Sequence, residues 1–362
     1  MYKMKKKSLL FLNYLGLSSH MIRKINNEIP HFDEMEFSDQ KHSLKSFLSG
    51  TWHQKLNDIE EKKIISYAYE LKESGIDVLF YGHKGYPEPL MEIKEAPMVL
   101  YMKGEYLTTD ELALAIVGSR KCTAYGKMVC EYFTKELSTI GITTISGLAV
   151  GIDSIVHKTS LEQAQRTIGV LGNGIDIIYP KKNYKLYEGV EHSGAIMSEF
   201  PLGTKPIHYN FPLRNRIISG LAKAVLVIEA QEKSGTLITA GYAASQGRDV
   251  FAIPGNINQY SSQGTNRLIQ DGAKLVMDID DILNEIQDFL KLKRKEKKNE
   301  ETFKLSQEER VILDLLRMNP MSADELVEKT GLDIMTINPY LTILEIEGYI
   351  ELSIGNRFIS KL

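Results

Sequence analysis

Leu112-Ala113-Leu114-Ala115-Ile116-Val117, closed by Gly118-Ser119-Arg120-Lys121, is apolar at every position until it stops on a glycine. A strand with one face in water alternates between apolar and polar; one that is apolar throughout is covered on both faces. Six more short apolar runs follow at helix-length intervals: Thr143 to Ile145, Thr167 to Leu171, Ala195 to Met197, Ala224 to Ile228, Val250 to Ile253 and Leu275 to Met277. Amphipathic segments fill the intervals. This alternation predicts a doubly wound α/β domain with a parallel sheet over residues 109–290. In such a sheet ligands bind outside the carboxyl ends of the strands, so function is to be sought in the loops after each run.

The rest of the chain reads differently. Residues 1–108 have a helical texture, with Ile64, Ile65, Tyr67 and Leu71 at helical spacing, and end in Val78 to Tyr81 and Met98 to Tyr101, expected to add strands beside the sheet. The opening lysines and Ser8-Leu9-Leu10-Phe11-Leu12 superficially suggest a targeting peptide. Asn13 and Gly16 break that run, and an amphipathic first helix is the expectation. No stretch approaches the roughly 20 apolar residues of a membrane span, so a cytoplasmic protein without membrane contact is expected. Residues 291–302, with Lys291-Leu292-Lys293-Arg294-Lys295 at their start, read as a charged linker. Residues 303–362 read as three helices, with a turn at Thr330-Gly331, and a hairpin around Gly355-Asn356: a winged helix-turn-helix pattern.

Charge and cysteine narrow the function. The whole 362-residue chain carries a formal net charge of −3, and residues 109–285 carry 17 Lys/Arg against 18 Asp/Glu. A nucleic-acid site must therefore be a local basic patch. Cys122 and Cys130 lack metal-ligand spacing and cannot make a disulfide framework, so no metal site is expected.

The loops carry the chemistry. After the first strand, Gly118, Ser119 and Arg120 offer close backbone approach, a hydroxyl and a guanidinium fork suited to a phosphate. After the second, Ser146-Gly147-Leu148-Ala149-Val150-Gly151-Ile152-Asp153 offers another glycine-lined helix entrance. Asp153 and His157, one turn apart, read as a hydrogen-bonded structural pair rather than an acid–base pair, because no nucleophile accompanies them. After the third, Gly172 leads to Lys181, Lys182 and Tyr184: cations for a backbone and a ring for a base. After the fourth comes Phe211-Pro212-Leu213-Arg214-Asn215-Arg216. The two arginines cannot share a helical face, so they reach different partners, either phosphates or a carboxylate such as Glu199. Lys233-Ser234-Gly235-Thr236 precedes a helix like a phosphate cradle, and Gly264-Thr265-Asn266-Arg267 is a weaker version. The first loop lacks GxGxxG, and the Lys233 loop lacks the Walker order, so neither hydride transfer nor ATP hydrolysis is expected, and no cofactor.

Taken in order, these loops resemble those of the DprA (Smf) family of DNA-processing proteins. The matching residues are Gly118-Ser119-Arg120 with Thr123 and Tyr125-Gly126, Ser146 to Ala149 with Gly151 to Asp153, and Gly172 to Pro180 with Asn183. They continue through Phe211 to Leu221, Ser234 to Ala240, Gly247-Arg248, Pro254-Gly255 and Gly264 to Asn266. The resemblance spans Leu112 to Met277. It implies an extended Rossmann-like fold flanked by a helical (SAM or helix-hairpin-helix-like) N-terminal domain and a winged-helix-like C-terminal domain. It also implies a non-enzymatic protein that binds single-stranded DNA, forms a homodimer and loads the RecA recombinase in natural transformation. On this chain the implied DNA contacts are Gly118, Ser119, Arg120, Ser146, Gly147, Gly172, Lys181, Arg214 or Arg216, Asn215, Ser234, Gly235 and Thr236, with Tyr184 or Phe211 as stacking surface. The rival is a phosphoribohydrolase-like nucleotide enzyme. Such proteins carry a catalytic glutamate after their glycine-threonine, whereas here Ser234-Gly235-Thr236 runs into Leu237-Ile238-Thr239-Ala240.

The winged-helix region carries six Lys/Arg against ten Asp/Glu, and its would-be recognition helix, Ile337 to Ile346, has no lysine or arginine. Pro339 is expected to interrupt that helix unless it falls in the first turn. A duplex reader needs cations for phosphates, so this region is expected to contact protein instead. Removing residues 303–362 should leave single-strand affinity unchanged in a filter-binding or anisotropy titration. A loss of about tenfold, roughly 1.4 kcal/mol, would place DNA contacts in this region after all.

Overall fold

The computed structural model describes residues 4–286, 306–346, 349–353 and 356–360. The expected charged linker at 291–302 lies outside them. The chain divides into two compact units, Met1–Ile286 and Gln287–Leu362. No described helix is long and apolar enough to cross a membrane.

The first unit is built on a sheet with nine described strands: β1 (Asp77–Phe80), β2 (Val99–Gly104), β3 (Ala113–Val117), β4 (Thr143–Ser146), β5 (Thr167–Leu171), β6 (Ala195–Ser198), β7 (Ala224–Val227), β8 (Asp249–Ala252) and β9 (Lys274–Leu275). Their order is β1-β2-β6-β5-β4-β3-β7-β8-β9. From β6 to β9 every pairing is parallel, whereas β1 and β2 join the β6 side antiparallel. All seven predicted strands are present, and the two mixed segments before them extend the same sheet.

Burial accounts for the apolar bias of the central runs: every residue of β3, β4, β5, β6 and β7 is buried, and the hydroxyl residues among them are hydrogen-bonded inside, as Thr144 is to Thr167 at 2.8 Å. One face of the sheet carries helices of the α/β domain. The other is covered in part by the N-terminal helices: Val99, Tyr101, Leu148, Leu171 and Ile196 share a core with Leu9, Phe11, Leu12, Ile22, Leu44 and Tyr67. Leu100 and Met102, alternating with Val99 and Tyr101, face the opposite core with Ala115, Val117, Ile145, Val170 and Val225. Residues 1–108, which differ in pattern from the sheet, therefore form a layer of the same unit.

Asn13, the residue that broke the opening apolar run, locks this layer down. It is buried, accepts from the Tyr101 hydroxyl at 2.6 Å and donates to the Glu199 carbonyl at 3.1 Å. Ser19 Oγ accepts from Met98 N at 3.0 Å, and Arg23 donates to the Ala96 carbonyl at 2.7 Å.

The chain runs β3, β4, β5, β6 outward on one side, then returns to place β7 against β3 and continues the other way. The loops after β3 and β7 therefore leave in opposite directions, and a crevice opens between them. That is the topological switch point of a doubly wound sheet.

The second unit has helices Gln307–Met318, Ala323–Thr330 and Ile334–Ile346, then the hairpin β10 (Ile350–Ser353) and β11 (Arg357–Ser360). Ser306 with Glu309, and Ser322 with Glu325, form reciprocal capping boxes at the first two helices, and Gly331 at φ +74° ends the second. Pro339 does not interrupt the third helix, although it lies beyond the first turn. Ile337, Leu341 and Leu344 anchor that helix in the unit's core, while the proline is exposed on the opposite side.

Candidate nucleic-acid interface

Glu229 holds up the first loop. It directly follows Ile228 at the end of β7 and is buried, and its carboxylate accepts from Thr123 N at 2.9 Å and from the Thr123 hydroxyl at 2.5 Å. The Thr123 hydroxyl in turn accepts from Gly126 N, capping the helix Ala124–Thr139. A Cβ at Gly126 would lie 2.3 Å from the Glu229 carboxylate, so only glycine fits there. Sequence reading passed over Glu229. Its signal was an acid placed immediately after an apolar strand.

The loop glycines are also close-packed against the protein itself. A Cβ on Gly118 would strike Ile152 at 2.6 Å, and one on Gly147 would strike both Arg214 and Asp153 at 2.6 Å. One on Gly172 would meet the Phe211 ring at 2.8 Å. Gly151, at φ +81°, lies against the backbone of Ser119 and Arg120, and Ile152 N donates to the Ser119 carbonyl at 3.2 Å. These glycines make room for the protein's own side chains. Leu148 also takes a left-handed conformation, φ +54°, which places its side chain over Gly169.

The two arginines of the fourth loop separate, and Arg216 requires correction as a DNA contact. Both are buried. Arg214 Nη1 donates to the carbonyls of Gly147, at 2.9 Å, and Val170, and Nε donates to Asn215 Oδ1 at 3.1 Å. Burial lowers its pKa to about 10, and the neighbouring Asp153 carboxylate opposes that shift. Burial likewise pushes the Asp153 carboxyl up, against the pull of Arg214. Arg216 forms a bidentate pair with Glu199, both bonds 2.6 Å, and donates through Nε to the Glu95 carbonyl at 2.9 Å. Thus Arg216 meets the carboxylate named among its alternatives and has no free fork for phosphate, whereas Arg214, though buried, lines the cleft between the β3 and β7 loops. Ser146 is corrected too: it is buried, and its hydroxyl donates to the Ile116 carbonyl at 2.7 Å.

Asp153 and His157 do not form the expected pair. His157 Nδ1 lies 2.8 Å from the Thr167 hydroxyl, and burial holds the imidazole pKa down at about 3, so it stays neutral. The Gly264 loop is structural as well: Gly264 N donates to the Ala230 carbonyl, Thr265 is buried, and Asn266 bridges both backbone groups of Gly255.

What remains in reach of solvent forms one surface. Arg120 is exposed and places its guanidinium 5.1 Å from the centroid of the half-buried Phe211 ring. Tyr179 flanks the same ring at 5.9 Å, and the Arg214 guanidinium lies 5.9 Å from its centroid. Beside them a cleft of about 770 Å³ fills the crevice between the β3 and β7 loops, lined by Gly118, Ser119, Arg120, Asn215, Gly235 and Thr236. The helix Gly235–Ser245 begins on this cleft. Ser234 caps it by accepting from Thr236 N, and Asn215 Nδ2 donates to the Gly235 carbonyl at 3.3 Å. Helix N-termini and guanidinium groups both favour an anion. A smaller cavity of about 60 Å³ adjoins it, between Arg120, Gly147, Gly172, Tyr179 and Phe211. Lys181, Lys182 and Tyr184 are exposed on the third loop, which Asn183 ties to the second by donating to the Leu148 carbonyl at 3.0 Å. Among the described residues no group of His, Cys, Asp or Glu could hold a metal ion.

Fold and site together define an open α/β sheet with an anion-favouring, aromatic-lined cleft at its switch point. The chain belongs to the DprA (Smf) family: the family model described as DNA recombination-mediator protein A matches residues 77–287, and that of the DprA winged helix domain matches 296–356. It is 42% identical to the DNA processing protein DprA of Bacillus subtilis over 233 residues, 64% of this chain and 78% of that one. It is 45% identical to the protein Smf of Escherichia coli over 203 residues, 56% of this chain and 54% of that one. The X-ray structure of the Streptococcus pneumoniae DNA processing protein A superposes with a TM-score of 0.69 at 34% identity, covering 78% of this chain and 99% of that one. The Helicobacter pylori protein, whose structure concerns its single-stranded DNA binding mode, gives 0.53 at 29% identity, covering 59% and 96%. The protein is thus a mostly parallel Rossmann-like sheet with a helical N-terminal region and a C-terminal winged helix domain.

Burial predicts how the arginines separate experimentally. Arg216→Ala leaves Glu199 buried without its partner and should cost about 3–5 kcal/mol of stability in urea unfolding. Arg120→Ala, on the surface, should change stability by less than about 0.5 kcal/mol. A stable Arg216→Ala protein would contradict the buried-pair role.

Proposed function

We propose that this protein binds single-stranded DNA along the carboxyl edge of its sheet and, as a homodimer without catalytic activity of its own, delivers the strand to a RecA-type recombinase during natural transformation. The observation that carries this reading is the exposed Arg120 guanidinium stacked on Phe211 at the mouth of the cleft. Cations along a groove with interleaved rings suit a flexible strand, whose backbone is anionic and whose bases all have a π-face. Gly118, Ser119, Ser234, Gly235 and Thr236 would meet phosphate from either side of the crevice. Lys181 and Tyr184 would continue the path beyond Tyr179. Arg214 and Asn215 line the same cleft, and Gly147 and Gly172 line the smaller cavity beside it. The ssDNA binding mode described for the Helicobacter pylori relative and the recombination-mediator description of the matching family support the reading.

Affinity for oligonucleotides should rise with length and fall steeply with salt. Arg120→Ala should weaken binding by about 1–3 kcal/mol and slow RecA filament nucleation on the same DNA. Mononucleotides binding as tightly as long oligonucleotides would point instead to a nucleotide-binding role.

For the dimer, the support is the β9 edge. Ile257 and Tyr260, which follow β8, and Met277, which follows β9, are 91%, 73% and 75% exposed, large apolar side chains left in water at the end of the sheet. Met277→Asp should shift sedimentation from dimer to monomer, and an unchanged dimer would place the interface elsewhere.

A further inference from the structure

A third concavity lies on the same edge of the sheet. It has a volume of about 630 Å³ and is framed by the helix Glu61–Glu73, which supplies Lys62, Lys63 and Ser66, and by Tyr14, Leu202 and Gly203. The three hollows follow the order of the strands. The first opens between the loops after β7 and β3, the second between those after β3, β4 and β5, and the third between those after β5 and β6 and the N-terminal helices.

The second and third share a wall. The loop after β5 lines one through Gly172, Tyr179 and Pro180, and the other through Asp176. That wall is firm: Gly174 N donates to the Thr204 carbonyl at 2.9 Å, and both Asp176 carboxylate oxygens accept from Gly203 N, at 3.1 and 3.0 Å. Tyr67 Oη accepts from Leu202 N at 3.0 Å, fixing the other side to the N-terminal layer.

The chemistry of the third hollow repeats that of the first two. Lys62 and Lys63 are exposed on its rim, Lys205 is exposed on the adjoining loop, and the half-buried Tyr14 ring packs 4.7 Å from that of Tyr67. Its floor differs. Asp176 and Glu70 offset the two lysines, so the hollow is close to neutral and would hold a free phosphate weakly.

We infer that this hollow is an extension of the DNA track, occupied by the part of a long single strand that runs past Tyr179 onto the N-terminal helices. The lysines reach the backbone from the rim, Tyr14 offers a ring to a base, and the two carboxylates accept from exocyclic amino groups on base edges. The hollow adds to a strand already held at Arg120 and does not capture one alone. This inference rests on the proposed single-strand binding.

The test compares wild type, Lys62→Ala/Lys63→Ala and Arg120→Ala in the full chain, titrated with oligonucleotides of about 6 to 40 nucleotides at several salt concentrations. The double variant should match wild type on the shortest oligonucleotides and bind the longest about three- to tenfold more weakly, with a shallower salt dependence. Equal affinity at every length, or an equal loss at every length, would overturn the extension while leaving Arg120-dependent binding intact. Loss of binding in neither variant, or no binding by wild type, would overturn the underlying single-strand reading as well.

Discussion

Two buried guanidinium groups on one helix hold the site together. The helix Asn210–Leu221 crosses beneath the carboxyl ends of the central strands. From it, Arg214 reaches the carbonyls at the ends of β4 and β5, and Arg216 reaches Glu199 just past β6 and the Glu95 carbonyl beyond. Strand ends are where backbone groups run out of sheet partners, and buried carbonyls left unpaired are costly. Fixed cations with several donors satisfy those groups and set the loops in place. Neither cation could leave without exposing a vacancy of charge: Glu199 would be stranded beside one, and Asp153 would lose its neighbour beside the other.

The glycines follow from this arrangement. Gly147 is bare because the Arg214 guanidinium and the Asp153 carboxylate occupy the space a Cβ would fill, and Gly172 is bare because the Phe211 ring does. A glycine pattern that reads as space for a ligand is, at these positions, also space for the protein's own side chains. The surface at the mouth of the cleft is what that machinery pushes outward: Phe211 wedged up by its helix, Arg120 laid over it, Tyr179 beside it.

This explains which parts were legible in the sequence. The strands of the sheet could be read because burial on both faces excludes charged residues and leaves only apolar residues and small hydroxyls that bond inside, as Thr144 does to Thr167. That Arg214 and Arg216 diverge could also be read, since residues two apart on a helix point away from each other. Which way each points could not, because residue type reports a charge but not whether it faces water. Asn13 and Glu229 were opaque for the same reason: each is a polar residue whose partner lies far along the chain, at Tyr101 or Thr123. Pro339 misled because helix propensity is a local term, and the packing of Ile337, Leu341 and Leu344 outweighs one lost backbone bond.

A chain of net charge −3 would hold a polyanion only by concentrating positive potential locally. Here the concentration comes in two tiers. Arg120 and the start of the helix Gly235–Ser245 face the cleft directly, while Arg214, buried at the cleft wall, sits by the same ring that Arg120 covers. A charge buried in protein is screened less than one in water, so Arg214 still projects into the cleft although Asp153 offsets part of it. The buried tier cannot be traded for surface lysines, because it is also the tier that fixes the loops. Fold and electrostatics therefore rest on the same side chains, and the exposed residues are left free to shape the surface of the cleft.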